Sequence, residues 1–264
     1  MRLFCFPYSG ASAAAVYSRW RRLLPSWIDV RPVELPGRGH RLAEPLHSRF
    51  STLVAKLAEE LASDVRTPFA FFGHSLGSIV AFEMAHVFES RYGLSPSMLF
   101  LSGGSAPDAR DYSRYALPFS NEQLIQELQR LKGTHPEVFE NPDLLELTLP
   151  ILRADFLVCG SYRPQASRPR LRCPIHVFAG AKDSAVGEPT DWRLETTADF
   201  GCDVLPGDHF FIHDCESQVL ERLVDRATFF LGRGEAPPAA ADSDSGARQS
   251  MRSRTPTAAS SSQS

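Results

Sequence analysis

A single serine set between two glycines, in Gly73-His74-Ser75-Leu76-Gly77, limits the folds open to this chain. The apolar run Phe69-Ala70-Phe71-Phe72 ahead of it reads as a short buried strand. The segment from Leu76 to Ala81, interrupted only by Ser78, reads as a helix lying close on a sheet. A strand that turns at once into a helix strains its middle residue and crowds the positions two before and two after it. Glycine at both positions relieves that crowding. What results is a hydroxyl at the head of a helix, where backbone N–H groups can steady a negative oxygen. A pattern of five residues also arises by chance. The rest of the chain must therefore supply a base, an acid to orient it and a second oxyanion donor.

Around this turn, apolar runs alternate with helical patterns. Residues 2–7, 28–37, 97–103, 173–180 and 202–207 read as strands, and 15–24, 50–65 and 217–231 as helices. In the second helix Leu53, Leu57, Leu61 and Val65 recur every fourth residue. Such alternation predicts an α/β fold with a mostly parallel central sheet and helices on both faces. In sheets of that kind the site lies beyond the carboxyl ends of the strands. Residues 119–163 break the alternation, being helical in pattern with no clear strand. They open on a capping box, Ser120 with Gln123, and Pro150 is expected to break the second helix. An insertion emerging at that edge is expected to form a helical lid over the site.

Composition sets the outer limits. With 264 residues and 43% hydrophobic content, the chain can bury a sizeable core. A net charge of −3 argues against nucleic acid as a partner. There is no apolar run long enough to span a membrane and no signal-peptide pattern at "MRLFCFP". The five cysteines are widely spaced without a C-x-x-C pair, which predicts reduced thiols, a cytoplasmic location and no metal site. Beyond Leu231 the chain has no Leu, Ile, Val or aromatic residue. Residues 1–231 are thus expected to form one α/β domain, with 232–264 a disordered tail.

Histidine is the usual partner of a serine nucleophile near neutral pH. Of the eight present, His209 and His213 follow the last strand, in "PGDHFFIHD". His209 comes directly after the strand-end turn and is favoured, with His213 as its rival. Asp183, after "HVFAGAK" at the end of the preceding strand, is the favoured orienting acid, with Asp155 and Asp108 as runners-up. The oxyanion donors are expected to be the N–H of Leu76 and an N–H from the loop "FPYSGAS", Ser9 first and Gly10 second.

The order Ser75, Asp183, His209 is that of α/β-hydrolases. Together "CFPYSGAS", "ELPGRGHRLAEP", "FFGHSLGSIVAFEMA", "LPILRADF", "FAGAKDSAV" and "GDHFFI" resemble the type II thioesterases of modular polyketide and nonribosomal peptide synthesis. The resemblance runs from Phe4 to about Phe230. It implies the α/β-hydrolase fold, with Ser75 as nucleophile, His209 as base and Asp183 as its partner. Ser9 stands where the family usually has the alanine that lends its N–H, and residues 119–163 resemble a mobile lid over the acyl channel. The implied activity is hydrolysis of acyl thioesters from the phosphopantetheine arm of an acyl or peptidyl carrier protein, in an editing role in antibiotic-type biosynthesis. No cofactor is implied, and the protein is expected to act as a monomer. Arg19, Arg21, Arg22, Arg38 and Arg41 are candidates to face an acidic carrier, although a solvated surface explains them equally well. A small-molecule carboxylesterase or an acyltransferase would use the same triad, and a binding module without turnover is the reading from another class.

Overall fold

The computed structural model describes residues 1–131, 141–165 and 167–232. Within them lie six strands: β1 (Arg2–Phe6), β2 (Asp29–Pro32), β3 (Phe69–His74), β4 (Met98–Ser102), β5 (Ile175–Gly180) and β6 (Phe200–Leu205). They form one sheet in the order β2-β1-β3-β4-β5-β6, parallel throughout. Side chains alternate strictly between its faces. Phe4, Phe6, Phe69, Phe71, Leu99 and Leu101 enter one core, and Leu3, Cys5, Ala70, Phe72, Met98 and Phe100 the other. Burial on both sides is why these strands read as continuous apolar runs.

The first core is covered by α3 (Phe50–Leu61) and α4 (Leu76–Arg91). α4 is buried over most of its length, consistent with apolar residues all round it. The opposite core is covered by α1 (Ala13–Tyr17), α2 (Trp20–Leu23), α7 (Phe211–Asp214) and α8 (Glu216–Gly232). The single helix expected over 15–24 is two short ones. Neither is long enough to be stable alone, and both are held by Tyr17 and Trp20, whose rings meet Phe72 edge-on at 5.8 and 4.9 Å.

The insertion contributes α5 (Asn121–Leu131) and α6 (Pro142–Ser161). The capping box forms as expected: Ser120 N–H donates to Gln123 Oε1 at 2.8 Å, and Gln123 N–H to Ser120 Oγ at 3.3 Å. The break expected at Pro150 does not occur, and α6 runs through it. Pro150 and Glu146 are exposed, so the carbonyl that loses its donor faces water. Leu149, Leu152 and Phe156 bury against Leu124 and Leu128 of α5, holding both sides of that gap. Residues 132–140, with His135, and the expected tail beyond Gly232 lie outside the described residues.

Candidate active site

Ser75 sits between β3 and α4 with φ 57° and ψ −111°, a conformation that costs a non-glycine residue about 1–3 kcal/mol. Three hydrogen bonds hold it there. Its N–H donates to Ser102 O at 2.8 Å, and its carbonyl accepts from Ser78 N–H at 3.1 Å and Ser78 Oγ at 2.6 Å. The two glycines serve close approach. A Cβ on Gly73 would lie 1.9 Å from Gly77 O, and one on Gly77 would lie 2.1 Å from Phe6 O. α4 therefore starts in contact with the ends of both β3 and β1.

The loops after β5 and β6 are laced together. Ala181 N–H donates to Leu205 O and Lys182 N–H to Gly207 O, each at 2.8 Å. This lacing brings Asp183 to His209. Asp183 Oδ2 accepts from His209 Nδ1 at 2.8 Å, and His209 Nε2 faces Ser75 Oγ at 2.9 Å. In the tautomer that satisfies both contacts, Nδ1 carries the hydrogen and Nε2 accepts from the serine hydroxyl. The Asp183 side chain is 1% exposed and its other oxygen accepts from Ala185 N–H at 2.9 Å. The structure thus assembles Ser75, His209 and Asp183, the three residues favoured from sequence.

The rivals are placed elsewhere. His213 Nε2 meets the Tyr8 hydroxyl at 3.1 Å. Asp155 forms a buried bidentate pair with Arg38, at 2.5 and 2.7 Å, and also accepts from Gly10 N–H at 2.7 Å. Gly10 N–H is therefore committed to a carboxylate, leaving Ser9 as the candidate from that loop. Ser9 lines the same cavity as Ser75 and His209. Leu76 is the first residue of α4, where N–H groups lack intrahelical acceptors. His74 packs 5.4 Å from the His209 ring, and its Nδ1 lies 2.9 Å from the Ser102 hydroxyl. Burial, reinforced by the charge on a protonated His209, pushes the His74 pKa well below its usual value. His74 therefore stays neutral and does not compete for the proton from Ser75.

The cavity above Ser75 has a volume of about 220 Å³. Its walls include Leu128 of α5 and Leu152, Phe156 and Cys159 of α6, so the described parts of the insertion line the site. Among the described residues no cluster of His, Cys, Asp and Glu could hold a metal ion, and no helix is long and apolar enough to cross a membrane.

The carrier-facing role considered for Arg38 and Arg41 does not fit their surroundings. Arg38 is 4% exposed, and Arg41 is locked by Glu44 and Glu60. Sequence reasoning missed the Arg38–Asp155 pair altogether. Its only signal was that "LPGRGHR" and "LRADF" both belong to the resemblance.

A sequence profile of the thioesterase domain matches residues 1–227. The chain belongs to the thioesterase family. Among similar proteins is the gramicidin S biosynthesis protein GrsT of Aneurinibacillus migulanus, 39% identical over 227 residues, or 84% of this chain and 86% of that one. Among solved structures, ClbQ from the colibactin NRPS/PKS pathway is 33% identical with a TM-score of 0.81, over 88% of this thioesterase-family chain and 99% of that one. The type II thioesterase BorB from the borrelidin biosynthetic cluster is 35% identical with a TM-score of 0.77, over 85% of this chain and 91% of that one.

Proposed function

We propose that this protein is a type II thioesterase that removes acyl groups from the phosphopantetheine arm of acyl or peptidyl carrier proteins, editing polyketide or nonribosomal peptide assembly. The observation that carries the reading is the unbroken chain of contacts from Ser75 Oγ through His209 to Asp183, beneath a cavity roofed by α5 and α6. Relatives at 33–39% identity from such pathways support the substrate class.

In the reaction, Ser75 Oγ attacks the thioester carbonyl while His209 Nε2 takes its proton. The N–H groups of Leu76 and Ser9 hold the resulting oxyanion. The C–S bond breaks, His209 protonates the departing thiolate, and an acyl-serine remains. Water then gives a proton to His209 and attacks the acyl-serine. Collapse of that second intermediate returns the proton to Ser75 Oγ and releases the carboxylic acid. Asp183 holds the imidazole in the reactive tautomer and stabilises its charged form. The working unit is residues 1–231, so removing 232–264 should leave turnover unchanged. A cytoplasmic setting is supported by five free cysteines.

The test is mass spectrometry of a phosphopantetheinylated carrier protein loaded with acetyl or propionyl, incubated with wild type and with Ser75→Ala. Expected is loss of the acyl mass with wild type alone, turnover by the variant falling about 10³-fold or more. Loss with both would overturn the mechanism. Loss with neither, alongside brisk cleavage of nitrophenyl esters, would make the protein an esterase.

A further inference from the structure

The first loop, from Pro7 to Ser12, is held from two sides by buried carboxylates that the reaction does not use. On one side Glu34, 3% exposed, accepts from Ser12 Oγ at 2.7 Å and Ala13 N–H at 2.9 Å. On the other, Asp155 reaches down from α6 and accepts from Gly10 N–H at 2.7 Å. Asp155 is fixed in turn by Arg38, the two side chains being 2% and 5% exposed. Gly10 has φ +82°, and a Cβ there would lie 2.7 Å from Leu152 Cδ2, so α6 rests directly on the loop. Ser9 directly precedes the clamped Gly10, and only Pro7 and Tyr8 separate it from β1.

We propose that Asp155 is a positioning residue for catalysis: through Gly10 N–H it sets the Ser9 N–H in the oxyanion site, with Arg38 holding Asp155 in place. The inference rests on the reading of Ser9 as an oxyanion donor. Oxyanion donors work because they are fixed before charge develops. A loop of small residues has little rigidity of its own, since Ser9, Gly10 and Ala11 bring few side-chain contacts. A charged acceptor buried among apolar side chains is a strong restraint on one N–H vector. The pair also ties α6 to the oxyanion site, so this half of the lid is an anchor for the catalytic loop as well as a roof.

Removing Asp155 alone would strand a buried guanidinium, so the test uses two double variants that both lack that charge. Arg38→Met with Asp155→Asn keeps an acceptor for Gly10 N–H, whereas Arg38→Met with Asp155→Leu has none. Turnover of an acyl thioester is measured per folded molecule, along with inhibition by a boronic acid that mimics the tetrahedral intermediate. Expected is kcat within about 3-fold of wild type for the Asn variant, and about 10- to 100-fold lower for the Leu variant with little change in KM. Boronate affinity should weaken in parallel with kcat. Equal kcat and equal boronate affinity in the two variants would overturn the proposal. Should the Leu variant not fold, amide exchange in the wild type decides: Gly10 N–H is expected to be protected, and exchange as fast as in an open loop overturns it. Ser75→Ala separates the two readings, because its inactivity beside equal double variants would refute the clamp alone.

Discussion

Replacing Gly77 by alanine tests the whole geometry of the site with one methyl group. The new Cβ would lie 2.1 Å from Phe6 O and 2.9 Å from Pro7 O, where real Cβ atoms essentially never come closer than 3.0 Å. Relief requires a shift of about 0.9 Å between α4 and the end of β1, the difference between 3.0 and 2.1 Å. The obstacle is backbone at the end of β1, a strand paired on both sides, so no rotamer change can absorb it. Overpacking of this kind costs about 1–3 kcal/mol, which for a domain of this size lowers Tm by roughly 2–12 °C. The larger effect should be on catalysis. The shifted segments lead straight into Tyr8 and Ser9 on the β1 side and back to Leu76 and Ser75 on the α4 side, whereas His209 and Asp183 are held by other loops. A misplacement of about 1 Å at a catalytic group costs on the order of 10²-fold in rate. Thiol release from an acyl thioester, followed with a chromogenic disulfide, together with a melting curve, measures both. A Gly77→Ala variant with wild-type kcat/KM and wild-type Tm would refute the claim that close backbone approach builds this site.

The remaining predictions concern histidines. His209→Ala should lose turnover as fully as Ser75→Ala, whereas His213→Ala, which removes contacts to Tyr8 and the Phe210 ring but none to Ser75 or Asp183, should keep most of it; the reverse result in the same assay would move the base to His213. His86 is held down to about 3 from its ordinary 6.5 by burial, with the charge of Arg168 adding to the effect. It stays neutral in the folded protein while the unfolded chain takes up a proton, so its contribution to stability is full above about 6.5 and is lost as pH falls toward 3, by at most about 1.4 kcal/mol per pH unit. Urea midpoints at several pH values should therefore fall less steeply for His86→Leu than for wild type, and parallel curves would refute this.

Much of the site was legible because its signals are local. The Gly-x-Ser-x-Gly spacing requires a strand-to-helix turn for steric reasons that need no knowledge of distant residues. Asp183 and His209 each follow an apolar run, and in a parallel sheet all such positions converge on one edge. The sequence by itself therefore determined the alternation of strands and helices and the elbow, and it favoured the three side chains that the structure brings together over their rivals.

Other features depended on which surfaces pack together, and no local pattern carries that information. Asp155 is a runner-up for the orienting acid from sequence, yet its partners are Arg38 and Gly10, which are 117 and 145 residues away. Arg38 lies in a polar stretch that suggests a surface, and only the descent of α6 onto the first loop buries it. Pro150 is a helix breaker in isolation, and α6 continues through it because apolar contacts on both sides outweigh one missing hydrogen bond at a solvated carbonyl. Local sterics and hydrophobic period fix the elements, whereas the partner of a buried charge is fixed only when two distant surfaces exclude water between them.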